Sequence, residues 1–432
     1  MGNITTIFSN NLRSLCSSSD IEEYYYDAKL CLLDYLSCLV GGEGYYQQKL
    51  NVPGIEEGIQ IDALRYGMFS HVLELDDGHR KGAVHVGAPV FSALIPVALR
   101  FGIEPKDFFN GVIAGYEATV RLACAVQPGC RKRGYHASGI CGTVGAAIGI
   151  AMALQFDTNQ MNTAIAAAVA GAAGVLEMQE DGSDLKPYNV GRASMDAVVA
   201  AMIGKAGLKG PNDAIGGKRG FIAVMTDTPH LEQLTDFSSD TLAVEQVYRK
   251  EYAACRHAHP AIEAALKIRP QISLAEIEKI EVLTYLQATE GHSYIEIPTV
   301  SAAKMSIPFS VAVALVTGSA DMKAFSNESI TNKTILELIK KVEVKEDAEL
   351  TALNPQKRAA IVAVHTKDRA FLQRVDYPKG EPENPLSKEE LEEKFRSLAM
   401  YGRLTKEECD TVINEIWKED GSIEKIMRII RK

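Results

Sequence analysis

The sequence predicts a mainly α protein: a large all-helical domain formed by both chain ends, 1–240 and 385–432, with a smaller α+β lid domain, 241–384, between them. Three observations predict it. Up to about residue 240 apolar residues recur at spacings of three and four, the period of a helix face. Beyond that point, 279–285 (KIEVLTY) alternates apolar and polar side chains and ends in β-branched and aromatic types, as a half-buried strand does. After Asn384-Pro385 a charged amphipathic helical period resumes.

The first clear helix, 28–40, is expected to stop at Gly41-Gly42. A second, 61–75, runs into Asp76-Asp77. Helices over 89–101 and 105–126 each open at a proline, which a first helical turn accepts. Three more are expected over 142–155, 158–176 and 194–207. Those from 142 to 176 are rich in Ala and Gly and read as central helices, buried on all sides, whose backbones approach closely. In the insert, strands at 279–285, 341–344 and 361–366 are expected to form an antiparallel sheet, with helices over 260–268 and 302–317. Helices over 387–398, 405–417 and 422–430 close the chain.

Composition narrows the function. The 432 residues carry 46 Lys and Arg against 56 Asp and Glu, a net charge of −10, which argues against a nucleic-acid partner. The longest uncharged stretch, 134–156, contains His136, Ser138 and Thr143 and is Ala/Gly-rich, so a buried helix is expected and no membrane span. The first fifteen residues have no basic region followed by an apolar one, so a cytoplasmic protein is expected. The eight cysteines form no CxxC pair; they read as reduced core residues and offer no iron–sulfur pattern.

Four polar stretches interrupt the apolar pattern. LELDDGHRKGAVHVGAP, 73–89, gathers Glu74, Asp76, Asp77, His79, Arg80, Lys81 and His85 between two helices, where carboxylates tune imidazoles. RKRGYHASGICGTVG, 131–145, sets three cations before Tyr135, His136 and a helix start, an arrangement suited to a carboxylate. Its Gly139, Gly142 and Gly145 lack the preceding strand of a dinucleotide fingerprint and are expected to serve close helix packing. EMQEDGSDLKPYNVGRAS, 177–194, places Lys186 in a polar excursion, and a plain surface lysine is the competing reading. KEYAACRHAHP, 250–260, clusters Lys250, Arg256, His257 and His259. The His-x-His invites zinc, but no third-ligand motif accompanies it and the arginine repels a cation, so anion binding is expected and no metal. His71, His230, His292 and His365 stand alone and read as structural.

Taken in order, DDGHRKGAVHVGAP, RGYHASGICGTVGAA, LKPYNVGRAS, CRHAHPAIEA and GEPENPLSKEELEEKFRSLA resemble the MmgE/PrpD family, over about residues 25–415. That family includes 2-methylcitrate dehydratase, cis-aconitate decarboxylase and iminodisuccinate epimerase. The resemblance implies a homodimer and chemistry on a small carboxylic acid without metal or organic cofactor. It also implies that Asp77, His85, His136 and Lys186 are catalytic, and that Lys250, Arg256 and His257 bind substrate. His79, Arg80 and Tyr135 flank these residues and join them as substrate-binding candidates. Three positions depart from the family pattern: Gly78 stands where Thr is frequent, Asn189 replaces a His after Lys186-Pro187, and Ser306-Ile307-Pro308-Phe309 ends in Phe rather than Tyr. Phe309 has no hydroxyl to donate, which weighs against the decarboxylation. The leading expectation is a lyase dehydrating a citrate-like hydroxy acid. An epimerase of an iminodicarboxylate, a decarboxylase and a non-enzymatic ligand-binding protein are the alternatives. The cations in 80–81, 131–133, 186 and 250–259 predict a locally positive cleft inside an acidic whole.

Overall fold

The computed structural model describes residues 3–46, 57–180 and 182–431. Nine helices form the first half: α1 Ile4–Cys16, α2 Tyr25–Tyr46, α3 Ile59–Val72, α4 Gly87–Phe101, α5 Pro105–Val126, α6 Gly129–Lys132, α7 Ala137–Ala153, α8 Thr158–Gly171 and α9 Lys186–Lys205. α7 is the central element, packed against α4, α5, α8 and α9. Its small residues are the cause. A Cβ added at Gly145 would lie 2.8 Å from the Thr119 backbone nitrogen, and one at Gly149 would lie 2.7 Å from the Gly111 carbonyl oxygen. Backbones at that separation exclude any larger side chain. The expected packing role of Gly139, Gly142 and Gly145 agrees with this: an added Cβ at each meets a neighbouring element at under 3.0 Å.

Two helix boundaries differ from expectation for the same reason. α2 runs through Gly41-Gly42 to Tyr46. A Cβ at Gly42 would sit 1.8 Å from the Phe69 carbonyl oxygen, so this glycine lets α2 and α3 touch and ends nothing. α9 starts at Lys186, eight residues before the expected start, with Pro187 in its first turn. Gly191 in this added stretch meets Gly67 of α3 backbone to backbone.

The second half carries its own hydrophobic core, which includes Ile262, Val282, Phe309 and Val362. Its sheet has four strands: β1 Ile277–Thr284, β2 Val342–Glu346, β3 Ala360–Thr366 and β4 Ala370–Val375, in the order β2-β1-β3-β4. The expected antiparallel sheet is in fact mixed. β1 pairs β2 in parallel, the crossover carrying Ile307–Thr317 and Lys333–Ile339, while β3 runs antiparallel to β1 and β4. β4 escaped the pattern because it is an edge strand exposing Ala370, Leu372 and Arg374. The helix expected over 302–317 breaks at Ser306, whose hydroxyl accepts from the Phe309 N–H at 3.2 Å and caps Ile307–Thr317.

The chain then returns. Lys388–Tyr401, opened by a capping box at Ser387, packs on α2, and Phe395 joins the core of the first half. No helix among the described residues is long and apolar enough to cross a membrane.

Replacing Gly42 by Ala is expected to overpack the α2–α3 contact and cost about 1–3 kcal/mol. Urea denaturation followed by circular dichroism measures it as a lower midpoint at unchanged slope.

Candidate active site

Between the two cores lies a cavity. The loop joining α3 to α4 contributes Glu74 and His85, the start of α7 contributes Tyr135 and His136, and the first residue of α9 is Lys186. The second half contributes Cys255, Arg256, His257, His292 and Arg358. About 70 Å³ within it is open to the centre of a water-sized sphere, and the cavity opens to solvent.

Three carboxylates organise this wall. Asp76 is fully buried and accepts from two imidazoles at once, His71 Nδ1 at 2.8 Å and His85 Nδ1 at 3.0 Å. His85 Nδ1 also faces the Asp77 carbonyl at 2.8 Å. Both of its neighbours are oxygens that only accept, so Nδ1 carries the proton and Nε2 of the neutral ring is left as an acceptor. Burial opposes ionisation of Asp76, but the two histidines outweigh it and hold the carboxyl well below its ordinary range. Burial pushes His85 down to about 4 against the pull of Asp76, so the ring is a neutral base at physiological pH.

Glu74 takes Lys186 Nζ on one oxygen and Lys250 Nζ, at 3.2 Å, on the other. Lys250 also donates to the Glu74 carbonyl at 3.0 Å. Lys250 is buried behind this pair and is absent from the cavity wall. Glu381 pairs with Arg256 and, at 2.6 Å, with Arg80. Arg80 is absent from the cavity wall and pairs with Glu381 beside it, while Arg256 faces the cavity over the Tyr248 ring. Arg256 Nη1 is buried without a partner.

His136 caps α7, its backbone N–H donating to the Gly174 carbonyl at 3.1 Å. Its Nδ1 has no protein partner, and burial, helped by His71 and Lys186, holds the ring neutral. His257 bonds the Tyr285 hydroxyl at 2.6 Å and stacks on His292 with ring centroids 5.0 Å apart. His292 donates from Nδ1 to the Met305 carbonyl at 2.9 Å, which leaves its Nε2 as an acceptor.

His85, His136, Lys186, Tyr135, Arg256 and His257 therefore share one cavity, as their motifs suggested. Asp77 and His79 do not. Asp77 turns to the opposite side of the loop, where it accepts from Tyr116 Oη at 2.7 Å and Gly87 N at 2.7 Å and anchors the start of α4. His79 accepts from Gly82 N and lies against a separate recess beside Cys124. Phe309 is fully buried against Phe325, away from the cavity. Gly78 has a steric reason: a Cβ there would lie 2.5 Å from Tyr248 Oη. Sequence reasoning named Asp76 in the loop but carried the catalytic role to Asp77, and it passed over His71, His292 and Arg358. His71 and His292 read as lone histidines, and only the fold brings the first to Asp76 and the second to His257.

Among the described residues, two groups place three ligand-type atoms within 4.8 Å, Cys255/His257/His292 and His71/Asp76/His85. In the second, both imidazole N–H groups are spent on Asp76. In the first, burial depresses His257 most, with His292, Arg358, Arg131 and Arg256 adding to it, and the three guanidiniums that act on this ring also disfavour a divalent cation.

Fold and site together define a class: a mainly α protein with a smaller α+β part, enclosing a cation-lined cavity with neutral imidazoles in its wall. The chain belongs to the MmgE/PrpD family, whose N-terminal domain matches residues 12–234 and whose C-terminal domain matches residues 252–419. A cis-aconitate decarboxylase-like protein of Aspergillus oryzae is 24% identical over 445 residues, covering 92% of this chain and 91% of that protein. The human cis-aconitate decarboxylase is 26% identical over 351 residues, covering 77% and 71%. That of Aspergillus terreus is 23% identical over 436 residues, covering 91% and 88%.

The buried histidines set an acid limit on stability. Burial holds His79, His85 and His292 at about 4, whereas an unfolded histidine titrates near 6.5. Between those values the unfolded chain binds protons that the folded one refuses, so stability present above pH 6.5 is lost as pH falls towards 4. Asp77, raised to about 7 by burial and by Asp34, works in the opposite direction, as do the raised carboxyls of Asp34 and Glu251, while the lowered rings of His136, His257 and His259 add to the loss. The histidines are expected to prevail, each lowered ring contributing up to about 1.4 kcal/mol per pH unit in this window. Urea midpoints compared at pH 7 and pH 5 measure it.

Proposed function

We propose that this protein is a lyase acting on a small di- or tricarboxylic acid, removing water from a citrate-like hydroxy acid through an enolate-like intermediate. The observation that carries the reading is the His85 imidazole. Its Nδ1–H is fixed by Asp76, its Nε2 is free to take a proton, and it shares one cavity with Lys186 and Arg256. The C–H electron pair released to the base spreads into the neighbouring carboxylate, and cations in a low-dielectric site stabilise the added charge. That pair then forms the new double bond as hydroxide leaves. The leaving hydroxide takes up the proton that His85 has gained, which returns that ring to neutral, and His136, neutral in the same cavity, is the candidate hydrogen-bond donor to the departing oxygen.

The names of the relatives favour a second reading, loss of CO2 from an unsaturated tricarboxylate. It uses the same cations, but the electron pair comes from the C–C bond and a histidine returns a proton to carbon. The position of Phe309, outside the cavity, removes the objection drawn from its missing hydroxyl. An epimerase would use two of the same groups on opposite faces of one carbon.

Proton NMR in deuterated water against a panel of di- and tricarboxylic acids separates the three. Dehydration gives new alkene protons; decarboxylation gives a shorter product labelled at carbon; epimerisation washes deuterium into substrate with no alkene. The proposal expects alkene from a hydroxy acid, and its absence across the panel would sink it. On the active substrate, Asp76→Asn and His136→Ala are each expected to lower kcat about 10²–10⁴-fold. Turnover like that of the wild type in His136→Ala removes that residue from the mechanism.

A further inference from the structure

The cavity continues into an outer recess. The two share Ala83, Gln127, Arg131, His257 and Arg358 as a common wall. The outer recess adds Arg80 and Lys81, and its lining contains no Asp or Glu. A different recess, sharing Arg131, Gln179, His292 and Met305 with the cavity, carries Glu180, Glu290 and Glu296, so Arg131 stands between the basic recess and an acidic one. This acidic protein thus keeps one flank of its cavity free of carboxylates.

On that flank Arg358 is 7% exposed. Its Nη2 donates to the Arg80 carbonyl at 2.8 Å, and its Nε is buried without a partner. No carboxylate among the described residues pairs with it, and none pairs with Arg131, the half-buried guanidinium on the same wall. Arg80 and Arg256 by contrast each have a glutamate. A guanidinium taken out of water without a counter-charge is costly, and two on one wall match the fork geometry of a bound carboxylate.

We propose that Arg131 and Arg358 form a carboxylate subsite at the junction of the cavity and the basic recess, holding a carboxylate remote from the reacting carbons. The subsite rests on the reading of the cavity as a polycarboxylate site and adds a selection rule to it. Acids long enough to reach this wall with a further carboxylate gain both guanidiniums, and shorter dicarboxylates do not. Because the remote group does not change during reaction, the pair acts on binding rather than on the chemical step.

Titration calorimetry with propane-1,2,3-tricarboxylate and with succinate tests this without turnover. Wild type is expected to bind the tricarboxylate more tightly than succinate. Arg358→Met and Arg131→Gln should each weaken the tricarboxylate at least tenfold and change succinate less than threefold. Arg131 is only half-buried, so its variant keeps the test alive if Arg358→Met fails to fold. Equal weakening of both acids, or none, overturns the subsite. Selective loss in a protein that turns over no acid upholds the subsite while the proposed reaction falls; a wild type that binds neither acid overturns both.

Discussion

The Glu74 carboxylate takes Lys186 from the start of α9 on one oxygen and Lys250 from the second half of the chain on the other, all three side chains buried. Neither lysine could enter this interior alone, because an ion taken out of water needs a close opposite charge, and breaking such a pair costs about 3–5 kcal/mol. Glu74 itself sits at a φ of 56°, a conformation that a non-glycine residue adopts only when its surroundings enforce it. The clamp fixes the entry of the loop that carries Asp76 and His85. It leaves Lys186, but not Lys250, in the cavity wall. The rest of the site is built outward from that choice.

The acidic composition and the positive cavity are two sides of one arrangement. Several cations away from the cavity are answered by an acid: Glu381 and Glu383 hold Arg80, and Asp34 holds Lys394. On the cavity wall the matching is incomplete. Arg131 and Arg358 have no carboxylate partner among the described residues, and Glu74 is shared between two lysines. Net charge therefore says little about the ligand, whereas unmatched charge at one place says much.

Much of this was legible in the sequence. Helical period, the central Ala/Gly-rich helices and the strand alternation in the insert are local patterns, and they fixed the fold class. The motifs brought His85, His136, Lys186 and Arg256 to one place. What stayed hidden depends on direction or distance. Asp76 and Asp77 are adjacent and chemically identical, and only the path of the loop decides that one meets imidazoles and the other Tyr116. Gly42 looked like a helix stop because the partner backbone at Phe69 lies in another element. Arg358 precedes β3 with no motif around it, and its significance lies in the acid that is missing beside it.

The packing of Lys388–Tyr401 on α2 has a consequence for biosynthesis. α2 leaves the ribosome early, and the helix that covers one of its faces follows roughly 340 residues later. At ~5–20 residues per second, translation exposes that face for roughly 20–70 s. During that interval the nascent chain presents an apolar surface whose native cover does not yet exist. The chain order thus sets the timing of the core: a face presented by α2 is covered only by a helix made about 340 residues later.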